Sequence, residues 1–135
     1  MALFFNKIER GNPSNPAAPK QWYPVLKSTG LVKEKEVAKL LADETTMNPK
    51  EAEMAVAQLL KVVTTLLLNG NTVQLGELGS FRSTANSRGV ATEAEVTAHL
   101  INKVNVRFSE SESLKNAMKK ATFKDTASLL STSQS

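Results

Sequence analysis

The chain has 135 residues, of which 41% are hydrophobic and 22% charged, a balance that is typical of a folded domain and argues against a disordered or membrane-spanning chain. It has no cysteine and one histidine, His99, which excludes disulfides, thiolate metal sites and histidine-pair sites. The formal net charge of +4 would double in a homodimer and mildly favours an anionic partner, although solubility alone would also account for it.

The first thirty residues predict a β-hairpin. Residues 2–10 are rich in large apolar side chains and predict a strand, and the segment 11–20 holds three prolines and a glycine, which forbid a helix. Residues 21–28 are rich in β-forming types. Because Pro24 cannot donate a hydrogen bond to a neighbouring strand, it should lie on an edge strand or at the end of a strand.

Two helices should follow the hairpin. Residues 33–44 place apolar side chains at i, i+3 and i+4 among charged ones, as an amphipathic helix does. Asn48 then serves as the N-cap of a second helix, with Pro49 at its first position and Glu51 completing a capping box. The Asn-Gly pair at 69–70 is a stop signal, so the second helix has about 20 residues.

The second helix has an apolar face that is wider than one small chain can cover. Its members are Ala52, Ala55, Val56, Leu59, Leu60, Val63, Leu66 and Leu67. An apolar face that exceeds what its own chain can bury indicates packing against another subunit. The sequence therefore predicts a homodimer.

A hairpin and a short helix are expected next. Residues 71–81 predict two strands joined by a tight turn at the glycines of GELG, and the polar stretch 83–89 predicts a loop. Thr92 and Glu95 form a further capping-box pattern. A short helix is therefore predicted near residues 93–100.

The C-terminal part predicts a strand, a helix and a tail. Residues 103–108 alternate polar and apolar side chains, which predicts a half-buried strand with Lys103 and Arg107 on its outward face. Apolar residues at helical spacing within 114–121 predict a terminal helix with a basic side. The Ser/Thr-rich segment 124–135 predicts a flexible tail.

Two stretches, MNPKEAEMAV and LLLNGNTVQLGELGSF, resemble bacterial histone-like proteins of the HU/integration-host-factor family. Phe108 followed by SESESLKNAMKKA is similar to the last strand and C-terminal helix of that family, so the resemblance covers about residues 33–122. The N-terminal hairpin is similar to that of extended HU-like variants from Bacteroides-type bacteria. The matching positions are Gly70, Val73, Leu75, Gly79 and Phe81.

This resemblance implies an α+β fold, in which an HU-like intertwined dimer has a two-helix base, a β-sheet saddle that grips DNA, an added N-terminal β-hairpin and a C-terminal helix. The expected organisation is an N-terminal β extension (1–30), an HU-like DNA-binding domain (31–123) and a flexible tail (124–135).

Two departures from the family pattern bear on function. Residues 82–103, which correspond to the arginine-rich arm of the family, hold three cations and no proline, so kinking of DNA by an intercalated proline is not expected. Where the family has a Lys-Pro-Gly-Lys turn, residues 109–112 read Ser-Glu-Ser-Glu. The loss of phosphate contacts predicts weaker, less salt-dependent binding than in a typical member.

Seven cations are the candidate DNA-binding residues. Four of them lie on or between the predicted saddle strands, where no acidic residue falls within 82–92 or 101–108, and three lie near the terminal helix. The alternative is that all seven are ordinary solvated cations, and lysines near a helix end also suit the helix dipole. The candidates are Arg82, Arg88, Lys103, Arg107, Lys115, Lys119 and Lys120.

Other residues receive a structural interpretation. Gly76 and Gly79 lack the lysine and the following helix of a phosphate-binding loop, so they are expected to serve the turn geometry. His99 has no partner for chemistry. Trp22 and Tyr23 would stack on bases in a single-strand binder, but packing within the hairpin is favoured.

The sequence thus predicts a non-enzymatic homodimer that binds double-stranded DNA with little sequence preference and resides in the bacterial cytoplasm, at the nucleoid. No cofactor, metal, membrane or small-molecule substrate is expected, because no catalytic constellation, apolar span or signal peptide is recognisable. The alternative function is an HU-like dimeric scaffold that binds a protein partner and binds DNA weakly or not at all.

Overall fold

The computed structural model describes residues 2–132, which form two compact units. The central unit comprises residues 32–117, and the accessory unit comprises the chain up to Leu31 and from Met118 onward. The strands and helices, in chain order, are β1 (Leu3–Arg10), β2 (Gln21–Lys27), α1 (Glu34–Glu44), α2 (Pro49–Leu68), β3 (Val73–Gln74), β4 (Gly79–Ser87), β5 (Ile101–Glu110), α3 (Glu112–Met118), β6 (Phe123–Asp125) and α4 (Ala127–Thr132).

The accessory unit is a three-stranded sheet in the order β2-β1-β6. The predicted hairpin is confirmed: β1 and β2 pair antiparallel from Phe4–Lys27 to Arg10–Gln21. Pro24 lies on an edge strand, as expected of a residue without an amide donor. β6 adds to the other side of β1 in parallel, with Lys124 beside Phe4.

The segment predicted to be a flexible tail is ordered as far as it is described. The Thr126 amide donates to the Phe5 carbonyl at 3.0 Å, and the Thr126 hydroxyl donates to Asn6 Oδ1 at 2.6 Å. Within residues 124–132 the structure thus differs from the predicted tail in having the end of β6 and the helix α4, because β1 supplies hydrogen-bond partners that a local sequence pattern does not reveal. Its last three residues, 133–135, and Met1 lie outside the described residues.

The Asp125 side chain links β6 to β1 and to the start of α4. Its Oδ1 accepts a hydrogen bond from the Ala127 amide at 3.1 Å, and its Oδ2 lies 3.1 Å from Lys7 Nζ. The Ala127 amide, and after it the Lys7 ammonium, hold the pKa of the Asp125 carboxyl below its ordinary value of 3.8. This link is therefore at full strength above that pH and weakens as the pH falls through the lowered pKa.

The helices α1 and α2 begin and end as predicted, within one residue. At the start of α2, the Glu51 amide donates to Asn48 Oδ1 at 2.9 Å and the Asn48 amide donates to Glu51 Oε2 at 3.4 Å, which confirms the capping box. Pro49 occupies the first turn. The helix ends at the cap residue Asn69, and Gly70 follows with a φ of 87°.

Replacing Asn48 by alanine is expected to cost about 1 kcal/mol of unfolding free energy, because the Glu51 amide in the first turn of α2 loses its side-chain acceptor. Thermal unfolding should show a melting temperature lower by a few degrees. Lys50→Ala, an exposed change in the same turn, is the control and should stay within about 0.5 kcal/mol of the wild type. Equal losses in the two variants would contradict the role of the cap.

The second sheet, in the order β3-β4-β5, corrects two predictions. Residues 83–87, predicted to be a loop, continue β4, because each of them lies opposite a residue of β5 and gains a hydrogen-bonded neighbour. The helix predicted at 93–100 is wrong as well. In its place are two 3₁₀ turns, Glu93–Glu95 and Ala98–Leu100, and the Thr92 hydroxyl binds the Glu95 carboxylate at 2.9 Å instead of capping an amide.

The sheet has one apolar face, which carries Phe81, Ser83 and Ala85 of β4 and Val104, Val106 and Phe108 of β5. The rings of Phe81 and Phe108 lie 4.9 Å apart and tilted, and the Ser83 hydroxyl donates to the Leu67 carbonyl at the end of α2. Val73, opposite Phe81, is buried. The apolar face thus packs against the C-terminal end of α2, where β3 follows. Along β5 the apolar face extends beyond this contact.

Much apolar surface of the central unit stays exposed. Among the described residues, the buried apolar side chains are Ala38, Ala52 and Val73. Val104 and Val106, expected to be half-buried, are 64% and 57% exposed. A single copy of the central unit therefore lacks a core of the size that its composition could form.

No helix within residues 2–132 combines the length and the apolar character that crossing a membrane requires.

Candidate nucleic-acid interface

The β4–β5 pair has a second face that is polar throughout. Alternation along the strands places every second residue on this face, opposite to Phe81 and Phe108. We call it the polar face, and its cross-strand pairs are Ser80–Ser109, Arg82–Arg107, Thr84–Asn105 and Asn86–Lys103. The polar face therefore presents hydroxyls, amides and three cations, and none of its residues is acidic.

Arg82 and Arg107 lie directly opposite each other on the polar face. Like charges at opposed positions of an antiparallel pair repel each other and reduce stability. Among residues 2–132 the ion pair found is Lys7–Asp125, so no carboxylate offsets this repulsion. A bound anion would relieve it, which makes the paired arginines the feature of the sheet that most favours an anionic ligand.

Lys103 lies on the same face, two cross-strand pairs from Arg107, beside Asn86. The Asn105 side-chain amide donates to Asn86 Oδ1 at 3.3 Å, so these amides hold each other in place on the face. The distance from Lys103 to Arg107 along β5 is about 13 Å, over which duplex DNA carries about eight phosphate charges. Three cations over this length can therefore each meet a phosphate.

Arg88 lies just past the end of β4, in the connection to β5. Its amide donates to the Leu100 carbonyl at 3.0 Å, which extends the pairing of the two strands by one bond. Its side chain borders an open cavity of about 560 Å³ with Val90, Val96 and Ile101. Arg88 is thus at the far end of the same strand pair and is not a member of the polar face.

Lys115 lies at the other end of the strand pair, on α3. It borders a cavity of about 420 Å³ with Phe108, Ser109 and Glu110. The Ser111 hydroxyl accepts from the Leu114 amide at 3.0 Å and donates to the Glu77 carbonyl, so the acidic turn is fixed against the β3–β4 connection. Lys115 therefore shares its surroundings with carboxylates, unlike the three cations of the polar face.

Lys119 and Lys120 are placed differently from the prediction. α3 ends at Met118, and both lysines follow it in a turn, so the predicted helix with a basic side retains only Lys115. Both belong to the accessory unit, whereas the other five candidates belong to the central unit. The seven candidates are therefore divided between the two units.

Thr84, Asn86 and Asn105 are polar-face residues that the sequence analysis missed as candidates. Asn105 lies in the alternating stretch 103–108, and for Thr84 and Asn86 the signal was the alternation from Phe81 to Asn86, which pairs an apolar or small residue with a polar one at each step. It was hidden because the stretch has a loop-like composition.

His99 lies in the second 3₁₀ turn. Within residues 2–132 no group of three or more histidine or acidic side chains is placed so as to hold a metal ion.

The chain matches the family model described as HU-HIG, an HU domain fused to wHTH, Ig, or glycine-rich motif, over residues 1–125. No curated protein matches the sequence significantly.

Two solved structures are similar in fold. One is a protein of Bacteroides vulgatus ATCC 8482, described as a candidate bacterial DNA-binding protein, with a TM-score of 0.63 and 15% identity over 92% of this chain and 48% of that one. This chain thus spans about half the length of that protein. The other is HU in the Anabaena HU–DNA cocrystal structure, with a TM-score of 0.53 and 16% identity over 66% of this chain and 99% of that one. The likeness confirms the predicted α+β fold of HU type.

Proposed function

Because the chain belongs to the HU-HIG family of HU domains fused to wHTH, Ig or glycine-rich motifs, we propose that it is a non-enzymatic homodimer that binds double-stranded DNA. The relatives support DNA binding in general: one similar fold is that of a protein solved with DNA, and another is described as a candidate DNA-binding protein. In this proposal the polar face of each subunit contacts the phosphate backbone.

The observation that carries the proposal is the polar face itself. Arg82 and Arg107 are exposed, opposed and without an acidic partner, and Lys103 continues the row. Phosphate contacts of this kind bind DNA of any sequence, because they do not touch the base edges. The binding is therefore proposed to be largely independent of sequence and to respond to DNA shape.

A second copy of the chain is proposed to cover the exposed apolar face. Val104, Val106 and Phe108 lie in a row on β5 and are 64%, 57% and 47% exposed. Soluble proteins seldom leave such a row open to water, and burying each side chain would contribute about 1.5–3 kcal/mol. Homodimerisation in the manner of HU would bury this row and the open face of the two helices.

The connection between β4 and β5 does not favour intercalation. Residues 88–100 contain no proline, and two acidic residues, Glu93 and Glu95, lie in its first 3₁₀ turn. A carboxylate entering a groove would be repelled by the phosphates on either side. We therefore expect little kinking of the duplex, which accords with a nucleoid-associated protein of the bacterial cytoplasm that binds by contact along the backbone.

Gel retardation of a linear duplex over a salt series tests the proposed function. Retardation at 50 mM salt should weaken by several tenfold steps up to 200 mM, because each phosphate contact lowers the salt slope of the binding constant by about 0.9. A nicked duplex should bind about as well as the intact one, since no kink is required. Absence of retardation at 50 mM would contradict DNA binding.

The alternative, a protein-binding scaffold, has one observation in its favour. Glu77, Glu110 and Glu112 surround the hydrogen-bonded Ser111 at the end of the strand pair, where the family has a basic turn. A dimer that fails to retard DNA at 50 mM salt would support this second function.

A further inference from the structure

The basic excess of the chain lies in the accessory unit. The central unit, residues 32–117, has ten basic and eleven acidic residues and a net charge of −1. The accessory unit has seven basic and two acidic residues and a net charge of +5. The positive charge that favours a polyanion is therefore carried by the accessory unit, whose strands form the β2-β1-β6 sheet.

The charges of this sheet are sorted between its two faces. Strand alternation and the register place Phe4, Ile8 and Arg10 of β1 on the same face as Lys27 of β2 and Lys124 of β6. We call this the basic face. Its remaining strand residues, Asn6, Gln21, Tyr23 and Val25, are uncharged.

Both acidic residues of the accessory unit lie on the opposite face. Glu9 lies opposite Trp22 there, and Asp125 forms the ion pair with Lys7. The segregation leaves the basic face with three exposed cations and no carboxylate. A solvated surface that served solubility alone would instead mix the two signs.

The cations of the basic face border two open grooves. Lys27 lines one of about 740 Å³ together with Phe4, Asn6 and residues that precede and begin α4. Arg10 lines the other, of about 450 Å³, together with Gln21 and Tyr23 and the proline-rich loop. Lys27 and Lys124 flank Phe4 on its two sides in the sheet. The cations are thus spread over the length of the face and suit an extended anion better than a single phosphate group.

We propose that the basic face, through Arg10, Lys27 and Lys124, is a second contact surface for the phosphate backbone of duplex DNA. This inference rests on the proposed DNA binding and adds a surface that lies outside the central unit. A duplex is proposed in preference to a single strand, because single-strand sites combine cations with aromatic side chains on which bases stack. Trp22, the side chain best suited to stacking on bases, lies on the other face.

The test is the triple variant Arg10→Gln, Lys27→Gln, Lys124→Gln in the full chain. Each lost phosphate contact removes about 0.9 from the salt slope, so the slope should fall by about 2–3 for each bound chain. Affinity for a long duplex at 100 mM salt should fall by at least about tenfold. The control is Lys33→Gln, Lys35→Gln, Lys39→Gln, which removes the same charge at α1 and should change the slope by less than 1. Circular dichroism of each variant establishes folding.

The outcomes separate this inference from the proposed function. If Arg82 and Arg107 are needed for binding but the triple variant equals its control, the basic face is not a DNA contact and the proposed function stands. If the wild type does not bind duplex at all, the proposed function fails as well. If the triple variant binds DNA like the control but loses binding to vesicles with anionic lipids, the basic face serves a membrane surface and the inference is overturned.

Discussion

Replacing Arg82 and Arg107 by glutamate should abolish retardation of duplex DNA without unfolding the protein. The two side chains lie opposite each other on the polar face and have no acidic partner, so the wild type bears an unrelieved repulsion between them. The variant replaces four attractive phosphate contacts per dimer with four repulsive ones. Affinity at 50 mM salt should fall by at least about 100-fold, as expected when several phosphate contacts are lost.

The control for this charge reversal is Lys35→Glu, Lys39→Glu on α1, which changes the net charge by the same amount. Both lysines are exposed. A long-range effect of net charge would weaken both variants equally. If the two variants bound DNA with equal affinity, whether strongly or weakly, the assignment of the polar face would be contradicted. Stability should not decrease in Arg82→Glu, Arg107→Glu, and light scattering should give an unchanged mass.

Replacing Gly79 by alanine should cost about 3 kcal/mol of unfolding free energy, the largest stability effect of a single methyl group that we expect here. Gly79 begins β4 with a φ of 149°, which other residues rarely adopt. An added Cβ would clash with the Ser109 carbonyl and lie 2.8 Å from Phe108 Cε2. Both neighbours belong to β5, so the substitution would separate the strands at the base of the polar face.

Gly89→Ala is the matched control for Gly79→Ala. An added Cβ at Gly89 meets nothing within 4 Å and its φ is not positive, so the change should be nearly neutral. Thermal unfolding should separate the two variants by about 10 °C. DNA binding at a temperature where both are folded should be weaker for Gly79→Ala alone. Equal melting temperatures would show that β4 and β5 do not approach as closely as described.

Local signals in the sequence predict those elements whose stability is local. The capping box at Asn48 and the stop at Gly70 fix both ends of α2, and each acts within a few residues. Pro24 predicts an edge position because the missing amide is a property of the residue itself. These features are readable without knowledge of the rest of the chain.

Elements that depend on distant partners were not predictable in the same way. β6 has three residues, and its partner on β1 is about 120 positions away in the chain. Residues 83–87 are polar and small, and they form a strand because β5 supplies the hydrogen-bonded neighbour. α3 ends at Met118 although the apolar spacing continues to Ala121, since the chain is drawn into pairing where the Leu3 amide donates to the Thr122 carbonyl.

The candidate site was predictable to a similar degree. The alternation of residues 103–108 places Lys103 and Arg107 correctly on one face, and the register adds Arg82 to them. The role of Thr84 and Asn86 was hidden by the loop-like composition of their segment. The charge segregation of the accessory sheet could not be seen either, because it depends on which strand residues share a face.

The most direct test of the central claim is site-specific photocrosslinking from the two faces of β4. Since the chain has no cysteine, Thr84→Cys and Ala85→Cys each create a single site for a thiol-reactive photocrosslinker. Thr84 lies on the polar face and Ala85, the next residue, on the apolar face. The account predicts crosslinks to labelled duplex from residue 84 and few or none from residue 85. Equal crosslinking from both, or crosslinking from residue 85 alone, would contradict it.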